Sequence, residues 1–383
     1  MFHTSHIEIS RSAYRKNIRY LRKVVGEKPV ISSVIKGNAY GHGIEHMVPL
    51  AEGAGLKHFS VFSASEALQV CRVKKPTSDV MIMGHLDDEQ IEWAIEHEVE
   101  FFVFDPERLE KCLEMARKLN KPARIHIEAE TGFNRTGFDY NYLPELMKTL
   151  QSHREHFIFE GLCTHYAGAE SIANYVRVRE QISLYKKFYK FFWRHQLIPN
   201  KKHTACSAAV LSYPTTIMDM VRIGIAQYGF WPSPETQMFR FHKDPTDDNP
   251  LRRLISWKSR VMVVKEVEAG DFVGYGSSFL ANKKMKIAIV PVGYSNGFSR
   301  SLSNMGRVLI RGKRVPVIGT VTMNTMTVNV TDIPHVEKGD EVVLIGNQKR
   351  LSISVASFSE MSNELNYQTL TRLPADIPRQ VVK

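Results

Sequence analysis

A lysine stands just after the first of several short apolar runs in this chain, in the segment Val34-Ile-Lys-Gly-Asn-Ala-Tyr-Gly-His-Gly43. A lysine that is shielded from water can lose its proton and form a Schiff base with an aldehyde. Further along, the turn at Ser207 and the backbone at Gly224 and Ile225 follow other apolar runs. Backbone N–H groups at such turns, helped by a hydroxyl, can hold a phosphate. Lys36 and these turns therefore suit a phosphorylated aldehyde.

Two more residues complete the pattern, His165 after the sixth run and Arg222 just before Gly224. A histidine ring can lie against an aromatic cofactor and an arginine can face its ring nitrogen, so the set as a whole suits pyridoxal phosphate. Each residue alone has an ordinary explanation, such as a solvated lysine or a structural histidine. Coincidence becomes a poor explanation because five clusters follow predicted strands, namely Lys36–Gly43, Glu130–Arg135, Thr164–Tyr166, Cys206–Ala209 and Arg222–Ile225.

Strand-like and helix-like segments alternate up to about residue 230, and they must position these clusters. Segments with helical spacing include Tyr14–Val25, Glu107–Leu119 and Ala173–His195. Eight strands separated by helices predict a (β/α)8 barrel, in which functional residues follow the carboxyl ends of the strands. A doubly wound sheet of six strands is the alternative. The predicted strands are Val30–Ile35, His58–Phe62, Asp79–Met83, Glu100–Phe104, Ala123–Ile127, Phe157–Cys163, Lys202–Ala205 and Met220–Ile225.

The composition changes after the barrel. Trp231–Pro250 contains four prolines and a run of Asp and Asn, which predicts a linker. Beyond it, turn-separated strands predict a mainly β domain, with a helix at about Ser354–Leu365. We therefore predict a barrel domain at residues 1–240 and a β-rich C-terminal domain at residues 241–383. The predicted strands of that domain are Ile255–Val267, Met285–Val292, Arg307–Ile310, Thr320–Val330 and Glu341–Ile345.

The sequence resembles the alanine racemase family across nearly its whole length and in the same order. The matching motifs are Val34–Gly43, Thr164-His165, Ser207–Ala209, Arg222–Gly229, Val273–Gly276, Pro291–Tyr294, Val321–Met323 and Asn366-Tyr367. The resemblance implies that Lys36 carries pyridoxal phosphate, that His165 packs on its ring and that Arg222 faces the pyridine nitrogen. It also implies a set of phosphate-binding residues, which are Tyr40, Ser207, Gly224, Ile225 and Tyr367.

Racemisation needs a base on each face of the planar carbanion that forms when Cα loses its proton. The resemblance assigns these roles to Lys36 and Tyr275, with Tyr275 coming from the partner subunit of a homodimer. Arg222 is permanently cationic and should leave the pyridine nitrogen unprotonated, which discourages transamination. The family further implies that Arg135 and Met323 bind substrate. Tyr294, Asn324 and Glu128 would support the site.

The sequence departs from the family at a few of these positions. Glu128 stands where the family usually has a lysine, commonly carbamylated, that bonds to an arginine matching Arg135. A glutamate would supply the negative charge directly, although an inward-facing structural acid is the simpler explanation. Cys206 replaces a usual asparagine, Asn324 replaces a usual aspartate, and Glu130 begins a Glu-Thr-Gly-Phe motif in place of Asp-Thr-Gly-Met. These changes weaken the assignment of alanine as the substrate more than they weaken the assignment of racemase activity.

Composition excludes several other classes. The net charge of +11 is spread along predicted helices without a nucleic-acid-binding signature, so we expect no nucleic-acid partner. We expect no membrane segment, no secretory signal and no metal site. The four scattered cysteines favour a cytoplasmic location.

The predicted function is the interconversion of L- and D-alanine for peptidoglycan. Three alternatives stay open at this point. The first is a racemase for serine or another amino acid, against which Tyr367 argues because its phenol leaves little room beyond a methyl group. The second is a barrel-fold decarboxylase, against which Arg222 argues because decarboxylation profits from a protonated pyridine. The third is a non-catalytic protein that binds pyridoxal phosphate, although such proteins lack the second domain.

Overall fold

The computed structural model of the chain describes residues 3–243, 249–362 and 366–383. The chain packs into two compact units. The first, which we call the barrel unit, consists of Ser12–Ala39 and Met47–Arg253. The second, which we call the β unit, consists of the described parts of Met1–Arg11, Tyr40–His46 and Leu254–Lys383. The predicted domain boundary between residues 240 and 241 stays a prediction.

The barrel unit is built on parallel strands, while strand β1 (Ser5–Ser10) belongs to the β unit. The barrel strands are β2 (Val30–Val34), β3 (His58–Val61), β4 (Asp79–Ile82), β5 (Glu100–Val103), β6 (Ala123–Glu128), β7 (Phe157–Cys163), β8 (Lys201–His203) and β9 (Met220–Ile223). Within the described residues these eight strands pair in the order β8-β7-β6-β5-β4-β3-β2-β9. A parallel bridge between Cys206 and Arg222 brings the two ends of the sheet together. The sheet is therefore a nearly closed barrel, which confirms the predicted fold and excludes the doubly wound alternative.

Helices connect the strands. They are α1 (Arg11–Val25), α2 (Lys36–Tyr40), α3 (Ile44–Gly53), α4 (Ala64–Val73), α5 (Asp88–Glu96), α6 (Pro106–Leu119), α7 (Leu143–Ser152), α8 (Tyr175–Arg194), α9 (Ser207–Ser212) and α10 (Pro234–Lys243). Short 3-10 turns occur at Tyr140–Tyr142, Arg154–His156, Ile172–Asn174, Pro214–Thr216, Ile225–Tyr228, Tyr275–Ser277, Tyr294–Asn296 and Arg300–Leu302. None of the helices among the described residues is both long enough and apolar enough to cross a bilayer.

Helix α6 shows how local sequence sets these boundaries. The Asp105 carboxylate accepts a hydrogen bond from the backbone N–H of Arg108 at 2.8 Å, which caps the first turn. Pro106 follows at the first helical position, where its missing N–H costs nothing. Asn120 ends the helix in the left-handed conformation, with φ 49°.

The β unit is mainly β, as predicted. Its remaining strands are β10 (Ile255–Arg260), β11 (Val263–Val267), β12 (Met285–Val290), β13 (Arg307–Ile310), β14 (Lys313–Ile318), β15 (Met326–Asn329), β16 (Glu341–Gln348), β17 (Leu351–Ile353) and β18 (Arg379–Val382). Among described residues the sheet runs β11-β12-β15-β14-β13-β16-β10-β1-β18, with β17 on β16. Helices α11 (Val355–Ser362) and α12 (Asn366–Thr371) follow β17, and α11 overlaps the helix predicted at Ser354–Leu365.

Several features of the chain differ from the sequence prediction. The predicted linker Trp231–Pro250 contains helix α10, because its prolines stand near the start of the helix or beyond it, and residues 244–248 lie outside the described part. The predicted strand Ile255–Val267 is two strands, β10 and β11, which pair with different neighbours. Strands β1, β14, β17 and β18 were not predicted, although the alternating burial of β1 is typical of a strand.

Capping of α6 gives a test of local stability. Asp105→Ala removes the acceptor for the Arg108 N–H, so we expect the free energy of unfolding to fall by about 1 kcal/mol. Asp105→Asn keeps a side-chain oxygen and should stay close to the wild type. Chemical denaturation of the three proteins measures the difference. Equal losses in the two variants would show that the carboxylate charge, and not the cap, matters at this position.

Candidate active site

Lys36 follows β2 and begins the segment α2, which is an irregular turn and not a regular right-handed helix. Gly37, Asn38 and Ala39 all have left-handed backbone, with φ of 62°, 51° and 55°. This conformation costs about 1–2 kcal/mol for each residue that is not glycine. The Glu66 carboxylate offsets part of that cost, because its Oε1 accepts from the N–H of Gly37 at 2.6 Å and of Asn38 at 3.4 Å. Glu66 therefore holds the turn that follows the lysine.

The charge state of Lys36 is set by its surroundings. Lys36 is exposed in the single chain, yet the surrounding protein atoms partly desolvate its amine. This desolvation lowers the pKa of Lys36, and the positive charges of Arg135 and Arg222 lower it further. The negative charge of Glu66 raises the pKa of Lys36, but by less than burial lowers it. The neutral amine, which is the nucleophilic form, is thereby favoured.

Arg222 is buried at the end of β9 and makes a fixed set of hydrogen bonds. Its Nη1 donates to the backbone oxygen of His203 at 2.8 Å and, in a short contact, to Nδ1 of the same histidine. Its Nη2 donates to the backbone oxygen of Thr164 at 2.7 Å. These bonds use three of the five N–H donors of the guanidinium. Its orientation is therefore fixed by β-strand backbone and by one imidazole.

His165 follows β7, and its ring centroid lies 5.6 Å from that of Phe133. Burial lowers the pKa of His165 to about 3, with further lowering from the charges of Arg222, Arg135 and Lys36. The imidazole is therefore neutral throughout the physiological range and offers a flat, uncharged face.

Ser207 and Gly224 meet between β8 and β9. The Ser207 hydroxyl accepts a hydrogen bond from the backbone N–H of Gly224 at 3.0 Å and from that of Ala226 at 3.5 Å. Ser207, Gly224 and Ile225 are all buried. Predicted phosphate-binding groups from two strands are thus brought together within the barrel unit.

Glu128 and Arg135 lie on either side of the loop after β6. The buried Glu128 carboxylate accepts from the Thr136 hydroxyl at 2.7 Å. Burial raises the pKa of Glu128, and the Thr136 bond and the charges of Arg222 and Arg135 lower it in part. The Arg135 guanidinium lies 4.2 Å from the centre of the Phe133 ring. In the described residues, then, Arg135 acts on Glu128 through its charge, and Thr136 is the hydrogen-bond partner.

The Glu130 carboxylate organises the same loop. It accepts from the backbone N–H groups of Phe133 at 2.8 Å, Asn134 at 2.9 Å and Arg135 at 3.4 Å. The departure from the family at this position therefore keeps a carboxylate that closes the turn.

The β unit holds the remaining candidate residues. Tyr40 and Tyr367 form an edge-to-face pair with ring centroids 6.0 Å apart. Tyr294 and Met323 lie on two loops that are joined by backbone hydrogen bonds, from Tyr294 N–H to Thr322 at 3.0 Å and from Ser295 N–H to Met323 at 3.0 Å.

Two further candidate residues stand on the surface of the β unit. Asn324 donates to the Ser295 hydroxyl at 3.0 Å. Tyr275 lies between Gly274 and Gly276, which both have positive φ, and 74% of its surface is exposed in the single chain. The exposed phenol is available to another molecule.

The sequence analysis missed several residues next to the predicted ones. Glu66 holds the Lys36 turn, and His203 receives the Arg222 guanidinium. Behind His203 lie His126 and Glu100 in the barrel interior. The sequence did contain a signal for the residues in the interior. Arg124 and His126 stand two positions apart on a buried strand, so their polar side chains must point to the same side of the sheet.

The residues of the barrel unit fit a phosphorylated aromatic aldehyde. They provide an amine of lowered pKa at Lys36, an uncharged ring at His165, an oriented cation at Arg222, and the Ser207 hydroxyl beside the buried backbone of Gly224. These are the groups that pyridoxal phosphate requires.

Comparison with known proteins is consistent with this arrangement. Residues 9–232 match the model of the alanine racemase N-terminal domain, and residues 254–381 match that of the C-terminal domain. Alanine racemase 1 of Caldanaerobacter subterraneus subsp. tengcongensis is 33% identical over 377 residues, which cover 98% of this chain and 94% of the relative.

Solved structures show the same likeness. The alanine racemase of Bacillus anthracis with bound L-Ala-P has a TM-score of 0.91 and 28% identity, with 100% of this chain and 96% of that chain covered. The alanine racemase of Bartonella henselae with covalently bound pyridoxal phosphate has a TM-score of 0.82 and 26% identity, with 100% of both chains covered. The resemblance seen in the motifs is confirmed, and the chain belongs to the alanine racemase family.

Proposed function

We propose that this protein interconverts L- and D-alanine with pyridoxal phosphate as its cofactor, in the cytoplasm, and that it supplies D-alanine for peptidoglycan. The observation that carries the proposal is the proximity of Lys36 and His165 to the same buried Arg222, whose charge lowers the pKa of both, in a chain of this family. The free state of Cys71, Cys112, Cys163 and Cys206 supports a reducing compartment.

Lys36 would hold the cofactor covalently and then serve as one of the two bases. When bound, pyridoxal phosphate withdraws electrons from the substrate Cα and so makes its proton acidic. The lowered pKa of Lys36 supports both roles, because the neutral amine can attack an aldehyde and can accept a proton. His165 would support the ring, and its neutral state avoids a second positive charge beside Lys36.

Arg222 would face the pyridine nitrogen. A guanidinium cannot be deprotonated under ordinary conditions, so it would donate to that nitrogen and leave it without a proton. The hydrogen bonds to His203 and Thr164 keep the guanidinium from turning away. This arrangement favours return of the proton to Cα over transamination, and it argues against a decarboxylase.

Phosphate would be held by Ser207 with the backbone of Gly224 and Ile225, and by the phenols of Tyr40 and Tyr367. The hydrogen bond from Gly224 to the Ser207 hydroxyl supports a preformed turn, because it fixes both groups before an anion binds.

Tyr275 would be the second base, contributed by the partner subunit of a homodimer. Its exposure supports this role, because 74% of its surface is open in the single chain. Arg135, with Met323, would bind the substrate. Tyr294 and Asn324 would support the entrance, and the hydrogen bond of Asn324 to Ser295 suits a neutral amide in that position.

A racemase for serine or another amino acid is the second candidate function, and the departure at Asn324 is the observation that favours it. The deciding experiment is to incubate the purified protein with each L-amino acid and to follow the loss of optical rotation. We expect alanine to be racemised fastest. A larger kcat/KM for serine would overturn the assignment of alanine and leave the racemase chemistry in place.

The attachment site gives a direct prediction. Borohydride reduction of the yellow purified protein, followed by peptide mapping, should place the cofactor on Lys36, because its amine has a lowered pKa. Lys36→Arg should abolish the colour. Lys202→Arg is the control, because Lys202 pairs with Asp219 at 3.4 Å, and it should keep the colour. Label on any other lysine would overturn the assignment.

Glu128 gives a second prediction. If its negative charge replaces a carbamate, activity should not respond to bicarbonate. Glu128→Gln should reduce kcat/KM by about ten- to hundredfold, as expected for about 1.5–3 kcal/mol of lost charge-assisted interaction. Thr136→Val is the matched control, since it removes the 2.7 Å hydrogen bond and keeps the charge. Steady-state kinetics of the three proteins measure the effect, and a fully active Glu128→Gln would leave Glu128 a structural acid.

A shared active site can be tested by mixing inactive dimers. Lys36→Ala and Tyr275→Phe should each nearly abolish racemisation. When subunits exchange, each hybrid dimer would contain one doubly defective site and one intact site. Random pairing makes half of the dimers hybrid, so about a quarter of wild-type activity should return.

Mass spectrometry of the mixture verifies that exchange has taken place. As a control, Tyr275→Phe mixed with a second preparation of itself should recover no activity. Activity that stays at the mutant level after proven exchange would mean that Tyr275 acts within its own chain.

A further inference from the structure

A line of buried hydrogen bonds runs from Arg222 into the barrel interior. Arg222 Nη1 meets His203 Nδ1, and His203 Nε2 lies 2.8 Å from Nδ1 of His126. His126 Nε2 lies 2.8 Å from Oε2 of Glu100. The exposed fraction is 5% for Arg222 and 0% for His203, His126 and Glu100. We call these four residues the interior relay.

The two ends of the interior relay dictate where its protons lie. A guanidinium only donates hydrogen bonds, so His203 Nδ1 must accept and its proton must stand on Nε2. His203 then donates to Nδ1 of His126, whose own proton must also stand on Nε2. An ionised carboxylate only accepts, and Glu100 receives that proton. The hydrogen bonds at both ends are therefore satisfied only when each histidine carries its proton on Nε2.

The charge states agree with this direction. Burial lowers the pKa of His126 and that of His203, and the Arg222 charge lowers the pKa of His203 further. Burial alone would raise the pKa of Glu100, but the charge and hydrogen bond of His58 and the hydrogen bond of His126 outweigh it, so that pKa lies well below its ordinary value. Two neutral imidazoles thus connect a cation to an anion.

Glu100 is held so that its two oxygens have different partners. Oε1 accepts from Arg124 Nη2 at 2.7 Å and from Lys201 Nζ at 3.2 Å. Oε2 accepts from His126 and, at 3.0 Å, from Nε2 of His58. The carboxylate therefore faces cations on one side and imidazoles on the other.

The chain leaves space for the contact between the histidines. A Cβ added at Gly161 would collide with His126 Nδ1 and would lie 2.7 Å from His203 Nε2. Only glycine at this position of β7 allows the two rings to meet.

We propose that Glu100 is a positioning residue for Arg222, which acts by fixing the tautomers of His126 and His203 so that His203 offers an acceptor to the guanidinium. Glu100 does not touch the cofactor site. The inference rests on the proposed function only in that Arg222 would face the cofactor ring.

Glu100→Gln tests the direction of the relay. An amide oxygen must face the cations Arg124 and Lys201, which only donate, so the amide NH2 must face His126. His126 Nε2 would then have to accept, and its proton would move to Nδ1. His126 Nδ1 would then donate to His203 Nε2, so the His203 proton would move to Nδ1. There it would point at an Arg222 N–H. Two donors would face each other, and the guanidinium would lose its fixed position.

Glu160→Gln is the matched control. Glu160 accepts from Arg124 Nε at 2.8 Å and from Lys201 Nζ at 3.3 Å, so it bonds to the same two cations as Glu100. Among the described contacts it has no histidine partner. The control removes the same charge from the same cluster and leaves the interior relay unchanged.

The experiment is 15N NMR of the imidazole nitrogens in the full-length, cofactor-loaded protein, with His126→Gln and His203→Gln used for assignment. In the wild type we expect both histidines to carry the proton on Nε2. In Glu100→Gln we expect the His126 proton to move to Nδ1 and kcat for alanine to fall about ten- to hundredfold, as for a lost charge-assisted bond. Glu160→Gln should keep the wild-type tautomers and a kcat within about twofold, since its charge lies off the relay.

An Nδ1 proton on either histidine of the wild type, or an imidazolium, would overturn the proposal even if Glu100→Gln does not fold. Unchanged tautomers in a folded Glu100→Gln would do the same, as would an equal loss of kcat in Glu160→Gln. The NMR results do not depend on which amino acid is the substrate. Failure of the racemase assignment is therefore distinguishable from failure of the interior relay.

Discussion

The buried positive charge of Arg222 is the feature around which the site in the barrel unit is organised. A charge in this position needs acceptors, and it finds them in two backbone carbonyls and one imidazole. Its field lowers the pKa of Lys36 and His165, although desolvation is the larger cause for both groups. Arg222 and Arg135 thereby add to the desolvation that favours the neutral forms of Lys36 and His165.

The barrel supplies the scaffold for this charge. Parallel strands place every second side chain in the interior, so a polar residue on one strand meets polar residues of its neighbours. Arg222 on β9 therefore reaches His203 on β8, and Glu100 on β5 reaches His126 on β6. Such an interior costs desolvation, and it is stable because donors and acceptors match along the whole line.

Prediction from sequence succeeded where a local pattern decided the structure. The barrel strands were placed within a few residues, because short buried strands alternate with long amphipathic helices. The division of Ile255–Val267 into two strands depends on pairing partners that are far away in the chain, so no local pattern could show it. The same holds for the site. Lys36 and Arg222 stand in recognisable motifs, whereas the role of Glu100 follows only from the register that brings β5 beside β6.

The position of β1 has a consequence for synthesis of the chain. Ile7 and Ile9 are fully buried in the sheet of the β unit, where β1 pairs with β10 and β18. During translation Ser5 cannot pair with Ser259 until Ser259 has been synthesised. At a synthesis rate of about 5–20 residues per second, this delay is roughly 10–50 s. For that time a short strand that carries two isoleucines on one face lacks its sheet partners. The sheet of the β unit therefore cannot be completed until the chain has been synthesised as far as β18, so residues from both ends of the sequence must fold together.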